Sequence, residues 1–339
     1  MLYSVITTIQ EPTPSVVRLV GTLAGAGSRL VVAGDSKGPA RFDGPAGAPW
    51  PVDFLPLAAQ VDSGFALARD LPTKHYARKN LAYLQAIKAG ATCIYETDDD
   101  NAPLPTWRPR TETVAALRAV PQTENRWVNV YRYFSTDNIW PRGLPLDEIR
   151  TPVPESVASA IAKRAPIQQG LVNGAADVDA IWRLVMDRDF VFDDGASVLL
   201  EPGNWCPFNT QSTWWWPVVY PLLYIPSYCS FRMCDIWKSF VAQRCLWALG
   251  LGVVFHAAEV VQDRNPHDLT RDFADEIPGY ENNRKIARTL ASLSLESGAG
   301  AAGRNLLRCY EQLVADGFFP AKELPLVQAW LADLALNRG

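Results

Sequence analysis

Three histidines in 339 residues, no Cys-x-x-C pair, no block of lysine or arginine and no long apolar run set the first limits. The six cysteines (Cys93, Cys206, Cys229, Cys234, Cys245 and Cys309) are scattered, which argues against a zinc site and for reduced, mostly buried thiols. A net charge of −4 without a basic block leaves no footprint for nucleic acid. No stretch approaches the roughly 18 apolar residues of a membrane span, and Met1 to Ile6 has neither a basic flank nor the apolar length of a signal peptide. The expected location is the cytoplasm, with at most peripheral contact at the inner face of a membrane. What the chain does have is core: 48% hydrophobic and 11% aromatic residues, enough for one large α/β domain with an appendage or for two domains.

Residues 91 to 101 stand apart. Thr92 to Tyr95 is β-branched and aromatic, the composition of a buried strand, and Asp98, Asp99 and Asp100 follow at once. Carboxylates this close raise one another's pKa, so the arrangement is tolerated best with a cation among them. In an extended segment Asp98 and Asp100 share one side and Asp99 faces the other. That offers two hard oxygen ligands to Mg²⁺ or Mn²⁺; an acidic turn at a strand end is the alternative.

The surrounding pattern favours a doubly wound sheet. A strand over 2–9, a helix from about Ser15 to Gly25 and a strand over 28–33 lead into the polar turn Gly34 to Pro39. Ligands bind beyond the carboxyl ends of such strands, which groups Thr7, Thr8, Gln10, Asp35 and Lys37 at one crevice. Val52 to Leu57 is a third short strand. A helix over about Thr73 to Ala89, stopped by Gly90, carries Lys74, His75, Arg78, Lys79 and Asn80 at its start. Arg78 or Lys79 then packs toward the crevice, or belongs to a solvated basic face. Ala102-Pro103-Leu104-Pro105 breaks the acidic strand, Trp127 to Phe134 supplies another, and Arg150 to Arg164 reads as a helix. Asp177 is placed as the N-cap of a short helix. Trp214, Trp215 and Trp216 suit core, a membrane-surface patch or sugar-stacking platforms. A helix from Ser230 through Leu249 precedes the strand Val253 to Phe255, which ends on His256; His267, beside Pro266, reads as surface. From about Glu281 onward the chain is amphipathic helix.

This order of parts resembles a GT-A glycosyltransferase. Tyr76 to Ala91 followed by Asp98-Asp99-Asp100-Asn101 resembles the STELLO glycosyltransferase family, as do the Gly34 to Pro39 turn, Gly174 to Arg183, Pro221 to Pro226, and Phe231-Arg232 with Asp235-Ile236-Trp237. A more distant similarity is to the reversibly glycosylated polypeptides, the UDP-arabinopyranose mutases. The resemblance implies an α/β GT-A domain over residues 1–280, with a nucleotide-sugar half at 1–134 and an acceptor half at 135–280, and a helical extension at 281–339. It implies Mn²⁺ or Mg²⁺ on Asp98, Asp100 and His256, and a donor held by Thr8, Gln10, Asp35, Lys37, Arg78, Lys79, Asp99 and Asn101. It also implies acceptor contacts at Trp215, Arg232 and Trp237, and a base at Asp235. The implied activity is transfer of a sugar from a nucleotide-sugar donor to a hydroxyl of a glycan or lipid-linked acceptor, in bacterial surface polysaccharide synthesis. A nucleotide-sugar mutase and a non-catalytic scaffold of a polysaccharide-synthesis complex are the alternatives. A homo-oligomer is compatible with the helical tail.

Overall fold

The computed structural model describes residues 1–186, 188–264 and 268–336. Strand β1 (Leu2–Thr8) is buried from Tyr3 to Ile6, as befits a strand covered on both faces. Helix α1 (Pro14–Gly25) follows, with proline in its first turn and Thr13 as N-cap, its hydroxyl accepting from the Val16 amide at 3.1 Å. Strands β2 (Arg29–Gly34) and β3 (Val52–Leu55) then lie parallel on one side of β1. Helix α2 (Lys79–Lys88), entered through a 3₁₀ turn at Tyr76–Arg78, ends at Gly90, whose φ of +85° favours glycine. It delivers β4 (Cys93–Thr97) to the other side of β1. The order β3-β2-β1-β4 reverses direction between β1 and β4, and the crevice outside their carboxyl ends is the topological switch point.

Seven further strands complete the sheet: β5 (Asn101–Pro103), β6 (Arg118–Val120), β7 (Val157–Ala158), β8 (Ile167–Gly174), β9 (Val198–Leu200), β10 (Ser212–Trp215) and β11 (Val253–Gln262). Beyond β4 the sheet is mixed, running β10, β8, β11, β9, β6, β7, with β5 on β11. Strand β10 is antiparallel to both β4 and β8, and β8 is parallel to β11. The carboxyl ends of β4 and β11 therefore emerge on the same side. The α/β class, the parallel opening, the flanking helices and the helical C-terminal region agree with the sequence expectation.

Helices α3 (Ala180–Met186), α4 (Cys234–Ala248), α5 (Leu269–Ser292), α6 (Ala302–Ala315) and α7 (Glu323–Leu336) follow, besides two short helical segments at Leu57–Val61 and Leu67–Asp70. The last helix is tied to the sheet half of the molecule. Trp330 Nε1 donates to the Pro221 carbonyl at 2.9 Å, and the Asp333 carboxylate accepts from the Ala66 and Leu67 amides at 2.8 and 2.9 Å. Helix α5 runs across residue 280. None of the helices among the described residues is long and apolar enough to cross a membrane.

Several local expectations give way. Trp127 to Phe134 is mostly a 3₁₀ turn (Val130–Tyr133) rather than a strand, because consecutive apolar residues report burial, not period. Arg150 to Arg164 forms no helix; Val157 and Ile161 are exposed, so no apolar face exists to repay helix nucleation. Asn101–Pro103 does form a strand, an edge one where the missing proline N–H interrupts no ladder. Finally, β11 does not stop at His256 but continues six residues to Gln262.

Candidate functional site

The acids at the end of β4 line a cavity of about 500 Å³ at the switch point. Thr8, at the end of β1, donates its hydroxyl to Asp99 Oδ2 across the crevice, and Thr13 at the head of α1 donates to the Asp99 carbonyl. Asp98 Oδ1 accepts from Tyr76 OH at 2.5 Å and from Lys79 Nζ at 2.9 Å. Lys79 is fully buried behind the acids and also donates to the Thr97 carbonyl. Asp100 Oδ2 accepts from Gln262 Nε2 at 2.8 Å, while Asp100 Oδ1 is buried with no hydrogen-bond partner.

Burial first, then the charge of Asp98, pushes Asp100 up to about 7; Gln262 opposes this and Asp99 adds to it. Asp99 is raised for the same leading reason, with Thr8 working against it. These residues fit a hard divalent cation: all oxygen donors, one of them orphaned, and a charged form that is costly without a counter-charge. Among the described residues no group of three His, Cys, Asp or Glu could hold a metal.

The cavity's second wall comes from the β2 end. Asp35 lines it, but its oxygens are taken by backbone: the Ser36 amide at 2.6 Å and the Lys74 and His75 amides at 2.9 Å each. Burial alone would raise this carboxyl; the three amides and Arg78 bring it below its ordinary value. Lys74 sits at φ 54°, the left-handed region, and so presents two successive N–H groups to Asp35. Thr8, Gln10 and Lys37 also face the cavity, as expected.

On the third wall Arg142 forks between two carboxylates. Its Nε and Nη2 donate to Asp177 at 2.8 and 3.1 Å, and Nη1 and Nη2 to Asp235 at 3.0 and 2.7 Å. Burial works against the guanidinium charge, but Asp177 and Asp235 outweigh it and hold Arg142 well above its ordinary value. Arg142 likewise draws Asp177 below the usual carboxylate range against the effect of burial. Asp177 is thus an ion-pair residue, and the cap of α3 is Asp179, which accepts from the Trp182 amide at 2.8 Å. Arg232 lines the same wall and bonds Glu276 at 2.8 Å.

The structure does not bring the remaining site candidates to the cavity. Arg78 is buried against Gln60 and the Leu71 carbonyl. Asn101 is buried behind the acids with both side-chain polar atoms unpartnered. Trp215 is core: its Nε1 donates to Glu96 at 2.7 Å, beside the buried Lys238–Glu96 ion pair at 2.9 Å. Trp237 is buried and donates to Asn283 at 2.8 Å. His256 lies mid-strand, its ring held by Ser197 at 2.6 Å and Gln168 at 3.0 Å. Six residues of extended chain, roughly 20 Å, separate it from Gln262, the residue of β11 that reaches the acids. His267 lies outside the described residues. His256→Ala is expected to cost roughly 1–3 kcal/mol through its orphaned partners while leaving any Mn²⁺-induced rise in melting temperature unchanged. Thermal denaturation with and without MnCl₂ checks both.

The sequence reading missed Tyr76, Arg142, Arg183, Thr210, Gln262 and Arg264 at this cavity. Arg142 and Gln262 carried no local signal, since their partners are 35 or more positions away. Tyr76 was visible as the residue three before Lys79 at the helix start, and both meet on Asp98.

Comparison with known proteins agrees with the motif resemblance. A family model described as STELLO glycosyltransferases matches residues 232–338. The chain is 28% identical over 305 residues to "Probable glycosyltransferase STELLO1" of Arabidopsis thaliana, covering 83% of this chain and 38% of that protein. It is 27% identical over 303 residues to "Probable glycosyltransferase STELLO2" of the same plant, covering 84% of this chain and 39% of the relative. The chain thus spans about two fifths of the length of these relatives. Across most of its own length the chain is similar to these two proteins, and over residues 232–338 to the STELLO glycosyltransferase family model.

Proposed function

We propose that the protein is a metal-dependent glycosyltransferase that moves a sugar from a nucleotide-sugar donor to a hydroxyl of a glycan or lipid-linked acceptor, in bacterial surface polysaccharide synthesis. The observation that carries this reading is the acid triplet at the switch point, facing the same cavity as Asp235, with Asp100 Oδ1 buried and unpartnered. Asp98 and Asp100 would hold Mn²⁺ or Mg²⁺, which supplies charge neutralisation at the departing diphosphate. Thr8 and Thr13 fix Asp99 and hold the crevice at its working width. Lys79 and Tyr76 orient the Asp98 carboxylate so that its second oxygen faces the cavity. Gln262 holds Asp100 through its other oxygen, leaving the buried Oδ1 without a partner. The Asp35 loop, closed on the Lys74 and His75 amides, forms the wall for the nucleoside. Asp235, held in the Arg142 fork, would accept the acceptor's hydroxyl proton as the new bond forms.

The test is a panel of nucleotide sugars and free nucleotides, with and without Mn²⁺, scored by melting temperature, because stabilisation reports binding to the folded state. At least one nucleotide sugar is expected to raise the melting temperature only when Mn²⁺ is present. A flat panel removes the reading. Interconversion of a nucleotide sugar without acceptor would transfer the site to mutase chemistry.

A further inference from the structure

A second hollow of about 1060 Å³ adjoins the cavity. The two share one wall, made by Ile9, Lys37, Lys74, His75, Phe231 and Arg232. The second hollow also carries three carboxylates. Asp272 accepts from Arg264 at 2.7 Å, Asp275 lies 3.9 Å from Arg271, and Asp268 caps helix α5 at the Thr270 and Arg271 amides. Lys37, Lys74 and Lys322, which also line it, make no ion pair with the described residues; Lys322 instead rests 3.8 Å over the Tyr228 ring. The hollow therefore presents three ammonium groups with no carboxylate in ion-pair contact among the described residues.

Two apolar side chains stand at the shared wall where burial would be expected. Phe231 is 55% exposed and Ile9 52%. The Phe231 ring is propped edge-on by His75 and Tyr76, with centroids 6.5 and 6.2 Å away, so it is braced rather than loose. A braced, exposed ring beside ammonium groups outside any ion pair suits a sugar, whose C–H face packs on the ring, carrying a negative group that the lysines meet. The volume holds more than one sugar ring, and the hollow opens onto the cavity where Asp235 and the acid triplet lie.

We infer that this hollow binds the acceptor, and that the acceptor is an anionic saccharide, bearing a phosphate or a carboxylate. The inference rests on the glycosyltransferase reading for the word acceptor; the preference for an anionic saccharide rests on the hollow alone. Lys322 is the residue to test because it lines the hollow, not the cavity, and is exposed.

The experiment titrates the full chain, in Mn²⁺ with and without the nucleotide that the panel shows to bind best, with glucose 1-phosphate, digalacturonate, maltose and farnesyl phosphate, at low salt and at 0.5 M NaCl. Glucose 1-phosphate or digalacturonate is expected to bind at least about tenfold more tightly than maltose at low salt, and to lose that advantage at high salt. Lys322→Glu is expected to weaken the anionic sugar about fivefold to tenfold and to leave maltose unchanged, while Lys322→Arg retains binding. Equal binding of maltose, absence of any saccharide binding, or an anion preference that survives Lys322→Glu overturns the inference. So does tighter binding of farnesyl phosphate than of either anionic sugar, which would make the occupant a lipid. The nucleotide-sugar panel with Mn²⁺ is measured beside it: a panel in which none binds removes the glycosyltransferase reading, while the saccharide preference is judged separately.

Discussion

Asp100→Asn is expected to abolish Mn²⁺-dependent donor binding, to lower turnover by about 10²–10³-fold or more, and yet to raise the melting temperature of the metal-free protein at alkaline pH. The two effects have one cause. The Asp100 carboxyl is pushed up to about 7 in the folded protein, first by burial and then by Asp98. The ordinary value is 3.8. The folded state thus binds this proton more tightly than the unfolded chain does. Below pH 4 both states hold the proton and no penalty exists. As pH rises from about 4 to 7 the unfolded chain ionises while the folded one resists, and the folded state loses stability throughout that window. Above pH 7 the penalty is complete, at most ~4 kcal/mol given about 1.4 kcal/mol for each pKa unit. Asparagine keeps the shape and the Gln262 contact but carries no charge. Its melting temperature should therefore exceed that of the wild type at pH 8 and match it at pH 4, without metal. Added Mn²⁺ should raise the wild type alone. A less stable variant at pH 8, or one that still responds to Mn²⁺, would sink the assignment of Asp100 to the cation.

The triplet was legible because its physics is local. Three adjacent acids after a β-branched run state both a strand end and an electrostatic problem, but the expected alternation of an extended segment fails: the strand ends at Thr97, the acids form a turn closed by the Asn101 amide on the Asp98 carbonyl at 3.3 Å, and all three line the cavity, with Thr8 opposite. The turn at Asp35 was legible as a position but not as a role: the sequence does not say that Lys74, 39 residues later, adopts φ 54° and occupies the carboxylate with backbone amides. His256 shows the opposite failure. Val253 to Phe255 read as a complete strand because the run of large apolar residues stops there, but Ala257 and Ala258 continue the extended chain, small residues being no barrier to it. The histidine thereby moved from the strand end to its middle, and Gln262, an unremarked amide, took the place at the acids. Trp215 was misplaced for a related reason. A run of tryptophans reads first as core, and all three are buried; what its sequence does not give is the buried Glu96 that takes the Trp215 indole N–H and removes Trp215 from any acceptor contact.

Arg142→Met is expected to lower stability by roughly 3–5 kcal/mol, the cost of removing one partner from a buried ion cluster. Arg142 is 5% exposed and is the counter-charge of both Asp177 and Asp235. Without it two carboxylates are left facing each other at the cavity wall, with Asn209 the remaining side-chain donor to Asp177 at 2.7 Å. Arg142→Lys restores one charge but not the planar fork that reaches both acids, so it should recover part of the loss. Asp235→Asn separates structure from chemistry. The amide still fills the site and accepts from Arg142 through one oxygen, so a stability loss near 1–2 kcal/mol is expected. Turnover should fall about 10²–10⁴-fold if the carboxylate takes the acceptor proton. Urea denaturation beside turnover measures both quantities on the same variants. Full turnover in Asp235→Asn would leave Asp235 as an anchor for Arg142 alone. In that outcome the fork remains a device for holding the third wall, since Arg142 also reaches the Arg232 carbonyl and so ties β8's end to the start of α4.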